Sequence, residues 1–99
     1  MALLYISEYQ GVAQVHGGMS APQEPALLDQ TPLAIGGATQ SSAFQPSTKL
    51  IRVHCDAICS IVFGAAPQTA TTSNKRLAAN QTEYFGVIPG QVLSVISNT

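Results

Sequence analysis

Proline and glycine break this chain so often that no stretch of 11 residues keeps a helical apolar period. What lies between the breaks is short and apolar: ALLYI at 2–6, VAQVH at 12–16, PLAIGG at 32–37, KLIRVHC at 49–55, ICSIVFG at 58–64, TEYFGVI at 82–88 and QVLSVIS at 91–97. Runs of that length, bounded by turn residues, read as strands. No segment supplies the helix that a parallel crossover needs. The expected fold is therefore all-β, a small antiparallel sandwich or partly open barrel. Ninety-nine residues make one domain, 1–99.

The finer expectations follow from local chemistry. Residues 2–6 and 12–16, separated by Gln10-Gly11, suit a hairpin. Residues 17–32 hold three prolines and read as a loop, with Ala26-Leu27-Leu28 as one helical turn or a plug over the core. On this basis 1–32 is a candidate extended arm and loop region. In the polar segment 38–47 Phe44 is the only large apolar anchor. A further strand is expected around 68–72, and Lys75-Arg76 on a solvated loop. Pro89-Gly90 fits the central positions of a type II turn, where glycine supplies the positive φ.

The stretch IRVHCDAICSIVFG, 51–64, holds both cysteines and one of the two histidines, so it is where metal or redox chemistry would be sought. Alternation in a strand places Ile51, Val53 and Cys55 on one face, and Cys59, Ile61 and Phe63 on one face of the next strand. These six form the expected core, with the cysteines acting as small hydrophobes. Arg52 and His54 then point outward, and the pleat separates His54 from both thiols. The spacing C-x3-C is neither a zinc knuckle nor a redox C-x-x-C pair. Two free, buried cysteines without metal or cofactor are expected, with Asp56 closing the bend as an Asx turn.

Catalytic patterns are equally sparse. No G-x-S-x-G is present, and Ser60 flanks Cys59 on the wrong face for an exposed nucleophile. The five acids, Glu8, Glu24, Asp29, Asp56 and Glu83, are scattered. Neither glycine pair, Gly17-Gly18 nor Gly36-Gly37, leads into a helix as a phosphate loop does. The expectation is a protein that is not an enzyme and has no catalytic residue. Aromatic side chains point instead to contact surfaces. Tyr5, Tyr9, Phe44, Tyr84 and Phe85 are the interface candidates, with Tyr84 and Phe85 necessarily on opposite sides of one strand. Tyr5, Tyr9 and Tyr84 are also the residues that would build a sugar-binding platform.

Charge completes the reading. Only 9% of residues are charged, the formal net charge is −1, and no basic cluster exists for nucleic acid. A weakly charged surface puts little electrostatic opposition in the way of assembly. No apolar run approaches the roughly 20 residues of a membrane span. The opening MALLYISEYQG lacks the basic region of a signal peptide, so synthesis in a cytoplasm with reduced thiols is expected.

Residues 51–97 resemble a pattern found in small structural proteins of tailed bacteriophages. A strand, a bend and a second strand end at Gly64, and a threonine- and alanine-rich loop follows at 65–74. Arg76, Ala79 and Asn80 come next, and the close is Glu83-Tyr84-Phe85-Gly86-Val87 with Pro89-Gly90. Such proteins are similar to those encoded beside the major capsid protein and taken to decorate or cement the head. The resemblance implies a virion location, synthesis in the host bacterial cytoplasm, and the major capsid protein and further copies of itself as partners. A tail or baseplate component and a small carbohydrate-binding module are the alternatives. Residues 1–50 carry no part of the resemblance, and 1–16 with the 17–32 loop are the expected bridging contacts.

Overall fold

The computed structural model describes residues 2–14 and 20–98. Among these the chain forms no helix and eleven strands: β1 Leu3–Tyr9, β2 Val12–Gln14, β3 Ser20–Pro22, β4 Leu28–Asp29, β5 Leu33–Ala34, β6 Thr39–Gln40, β7 Leu50–Cys55, β8 Cys59–Gly64, β9 Lys75–Leu77, β10 Thr82–Gly86 and β11 Val92–Ser97. All pairings are antiparallel. A large sheet runs β10-β7-β1-β4, with β5 pairing β1 beside β4. A smaller sheet runs β6-β11-β8-β9, and β2 with β3 forms a separate ribbon. The fold is all-β, a sandwich and not a closed barrel.

The core lies between the two sheets. Leu4, Ile6, Ile51, Val53 and Cys55 come from the large sheet, and Cys59, Ile61, Leu77, Leu93 and Val95 from the smaller one. Phe63 and Phe85 pack against this cluster with ring centroids 5.1 Å apart. The alternation expected for 51–55 holds: Ile51, Val53 and Cys55 are buried, while Leu50, Arg52 and His54 are half-buried on the other face. The expected core residues therefore meet, although β7 and β8 are not partners. The bend at 56–58 carries the chain from one sheet to the other. Pro89-Gly90 makes a second such passage, from β10 to β11. Gly90 has φ +84°, and the Gln91 N–H donates to the Ile88 carbonyl at 3.2 Å, as a type II turn requires.

Several expectations are corrected. Residues 2–6 do not form a hairpin with 12–16: β1 pairs β7 on one side and β4 and β5 on the other, while β2 pairs β3. With Leu4 and Ile6 in the core, the start of the chain is an interior strand and not an arm. The part of 12–16 beyond residue 14, and residues 17–19 of the loop, lie outside the described residues. Residues 68–72 are irregular, and the strand falls at 75–77, so Lys75 and Arg76 sit on β9. Ala26-Leu27-Leu28 is not helical; it leads into β4. Asp56 does not close an Asx turn. Its Oδ2 accepts the Leu3 N–H at 3.3 Å and its own N–H donates to the Leu3 carbonyl at 3.0 Å, which ties the bend to β1.

Candidate functional site

The outer face of the large sheet is built by the odd residues of β1 and the even residues of β7 and β10. Register places Tyr5 opposite His54, and His54 opposite Thr82. The next row runs Asp29, Ser7, Arg52, Tyr84 across four strands. Tyr9 and Leu50 follow, ending at Gly86. Side chains within a row stand close enough to interact directly.

Hydrogen bonds fix much of this face. Ser7 Oγ donates to Asp29 Oδ1 at 2.6 Å, and the Tyr9 hydroxyl donates to Glu24 Oε2 at 2.9 Å. His54 Nδ1 lies 2.8 Å from Thr82 Oγ1, and Nε2 lies 3.8 Å from Asp56 Oδ1. The Tyr5 and His54 rings are 6.4 Å apart, tilted by 46°. The Tyr9 phenol is pushed above its ordinary value, first by burial, then by its hydrogen bond to Glu24 and the neighbouring Glu24 and Tyr84; Arg52 acts against the shift. Arg52 has no carboxylate within ion-pair distance among the described residues.

Two cavities open on this surface, of about 560 Å³ and 660 Å³. Ser7, Asp29 and Arg52 line both. Tyr5 and His54 add to the first, and Tyr9, Glu24 and Tyr84 to the second. Tyr5 is 39% exposed and Tyr84 50%. This chemistry suits recognition. Ser7 gives its proton to Asp29, and His54 stands between the Thr82 hydroxyl and the Asp56 carboxylate.

The interface candidates divide accordingly. Tyr5 and Tyr84 share the outer face. Tyr9 is on it but buried, at 4% exposure beneath its Glu24 contact. Phe44 is not an interface residue; it lies in the core, where its N–H donates to the Gln91 carbonyl and its carbonyl accepts the Gly90 N–H. Phe85 also points inward, beneath Lys75, whose Nζ lies 5.9 Å from the ring centroid.

The cysteines stand apart from the face. Both are free and buried. Cys55 Sγ donates to the Ala78 carbonyl at 2.9 Å. Burial pushes the Cys59 thiol up to about 12, with Cys55 adding to the shift. A thiol so protonated is a poor nucleophile and metal ligand. Among the described residues no group of three or more His, Cys, Asp and Glu side chains is placed to hold a metal ion.

Glu8 is the residue that its place in the strand should have revealed. It shares parity with Leu4 and Ile6 and is fully buried. Its Oε1 accepts from Thr48 Oγ1 at 2.6 Å and the Gln45 N–H at 2.9 Å, and its Oε2 accepts from Gln30 Nε2 at 2.7 Å. Those donors make it a structural anchor for the loops at this end of the sandwich. No family model, curated protein or solved structure matches the chain.

Proposed function

We propose that this chain is a non-catalytic structural protein of a tailed-bacteriophage particle, of the kind that decorates or cements the head. The resemblance over 51–97 and the low charge support the reading, and one structural observation carries it: the edge of β10, which pairs with no strand other than β7 among the described residues. The Gln81 carbonyl accepts from Cys55 and the Val87 N–H donates to Lys49, so the odd residues of β10 face β7. By antiparallel alternation, Thr82, Tyr84 and Gly86 direct their N–H and C=O groups away from it. The large sheet thus ends in a strand able to accept another strand by main-chain hydrogen bonds. β10 carries one charged side chain, Glu83, and no proline, so little guards the edge. A capsid subunit segment, or a second copy of the chain, is the partner this edge fits.

Purified particles and added-back protein test the proposal. Gly86→Pro removes one outward N–H without touching a β7 bond. The folded variant should lose attachment to assembled heads while wild type binds. Equal attachment by that variant overturns the edge mechanism. Absence of the wild-type chain from purified particles overturns the virion reading, and its recovery with tails alone favours the baseplate alternative.

A further inference from the structure

We infer that the outer face of the large sheet is a binding site for a neutral oligosaccharide, a role independent of particle attachment through the β10 edge. Three observations converge. The two cavities adjoin and share Ser7, Asp29 and Arg52, which makes an elongated groove suited to a chain of sugar rings. Tyr5 and Tyr84 stand half-exposed on β1 and β10, on either side of β7, where aromatic faces can stack against the apolar faces of pyranose rings. Two complementary polar groups share the row of Tyr84: Arg52 on β7, between the two strands that carry the rings, and Asp29 on β4, beyond Ser7. Among the described residues, Arg52 presents a guanidinium with no carboxylate partner, and Asp29 engages Ser7 through Oδ1 alone. A sugar hydroxyl both donates and accepts, so neighbouring hydroxyls can accept from Arg52 and donate to Asp29.

Charge selects the neutral class. Asp29 and Glu24 line the groove with Arg52, and Asp56 approaches His54 at its end. A phosphate, sulfate or uronate paired with Arg52 would face these carboxylates. An apolar ligand would leave the guanidinium and Asp29 unsatisfied, at a cost for each buried polar group. A polyhydroxylated ring meets neither objection.

The test is titration of the intact protein with neutral hexasaccharides of glucose, galactose and N-acetylglucosamine, with hexagalacturonate as the acidic comparison. Calorimetry reads affinity, and amide shifts in a nuclear magnetic resonance spectrum read location. At least one neutral hexasaccharide should bind at millimolar Kd or tighter. Shifts should concentrate at Tyr5, Ser7, Arg52 and Tyr84 and spare β8 and β11. Arg52→Gln and Tyr84→Ala should each weaken binding about tenfold or more. The proposal is overturned if no neutral hexasaccharide binds, if only hexagalacturonate binds, or if the shifts map elsewhere. It is also overturned if Arg52→Gln and Tyr84→Ala, shown folded by their amide spectra, bind as tightly as wild type.

Discussion

The two outer faces of the sandwich are treated in opposite ways. On the smaller sheet the chain covers itself. The connection 65–74 lies over that face, where the Ala70 N–H donates to Ser94 Oγ at 2.9 Å and Ser94 Oγ donates to the Thr39 carbonyl at 2.8 Å. Asn98 Nδ2 donates to Ser60 Oγ at 2.7 Å and to the Thr72 carbonyl at 3.2 Å. Ser60, Ser94 and Val92 are buried in consequence, on what would otherwise be a solvent face. On the large sheet the segment at Glu24 covers Tyr9, while among the described residues Tyr5 and Tyr84 remain exposed and Arg52 half-buried. Serine hydroxyls serve as internal fasteners on the covered face, while aromatic rings and a guanidinium without an ion pair among the described residues are left on the open one. That asymmetry is what the proposed binding face rests on.

The sharpest contrast lies within β1, whose two sides belong to different halves of the comparison. Glu8→Ala should have the largest effect on folding, about 3–5 kcal/mol, because it strips the acceptor from Gln30, Thr48 and the Gln45 N–H at once. Urea unfolding measures it; a loss under about 1 kcal/mol would mean that water replaces the carboxylate at no cost. On the covered face, Ser60→Ala with Ser94→Ala should cost about 2–4 kcal/mol and speed hydrogen exchange at the Ala70 amide. If exchange is unchanged, the serines are not what holds the connection in place.

Between the sheets, Cys55→Ala with Cys59→Ala should cost about 1–3 kcal/mol through lost packing. The Cys59 thiol also sets an alkaline limit. The folded value of Cys59 lies above its unfolded value, so its contribution is complete below about pH 8.5 and is lost as pH rises toward 12. Tyr9, also raised, adds to the same trend above about pH 10. Thermal midpoints should therefore fall above about pH 9, and less steeply in Cys59→Ala. A flat profile in wild type would show that the thiol is not sequestered. The smallest effect belongs to the open face. Tyr5→Ala and Tyr84→Ala should each change stability by no more than about 0.5 kcal/mol.

How much of this was readable beforehand follows the range of the interactions. The strands at 50–55, 59–64, 82–86 and 92–97 announce themselves because alternation and turn residues are local properties. So do the inward Ile51, Val53 and Cys55, the outward Arg52 and His54, and the split between Tyr84 and Phe85. The partners of each strand are long-range facts. Nothing in Asp56-Ala57-Ile58 says that the chain changes sheets there, and a hairpin of the same length would have similar residues. The open face was hidden for the same reason. Tyr5, Arg52 and Tyr84 come from three strands whose adjacency is set by a core they do not join. Glu8 was legible in parity with Leu4 and Ile6, but an acid at a core position has no local sign of the donors, Gln30, Gln45 and Thr48, that await it.

The most direct test of the division between a sealed face and a working face is one variant read in two ways. Tyr5→Ala, Arg52→Gln and Tyr84→Ala are combined, and both the thermal midpoint and the affinity for the best-binding neutral hexasaccharide are measured. With the three side chains free of folding duties, the midpoint should stay within about 5 °C of wild type while binding disappears. A midpoint that collapses while the remaining folded protein still binds the saccharide would contradict the account, because the face would then serve the fold and not a ligand.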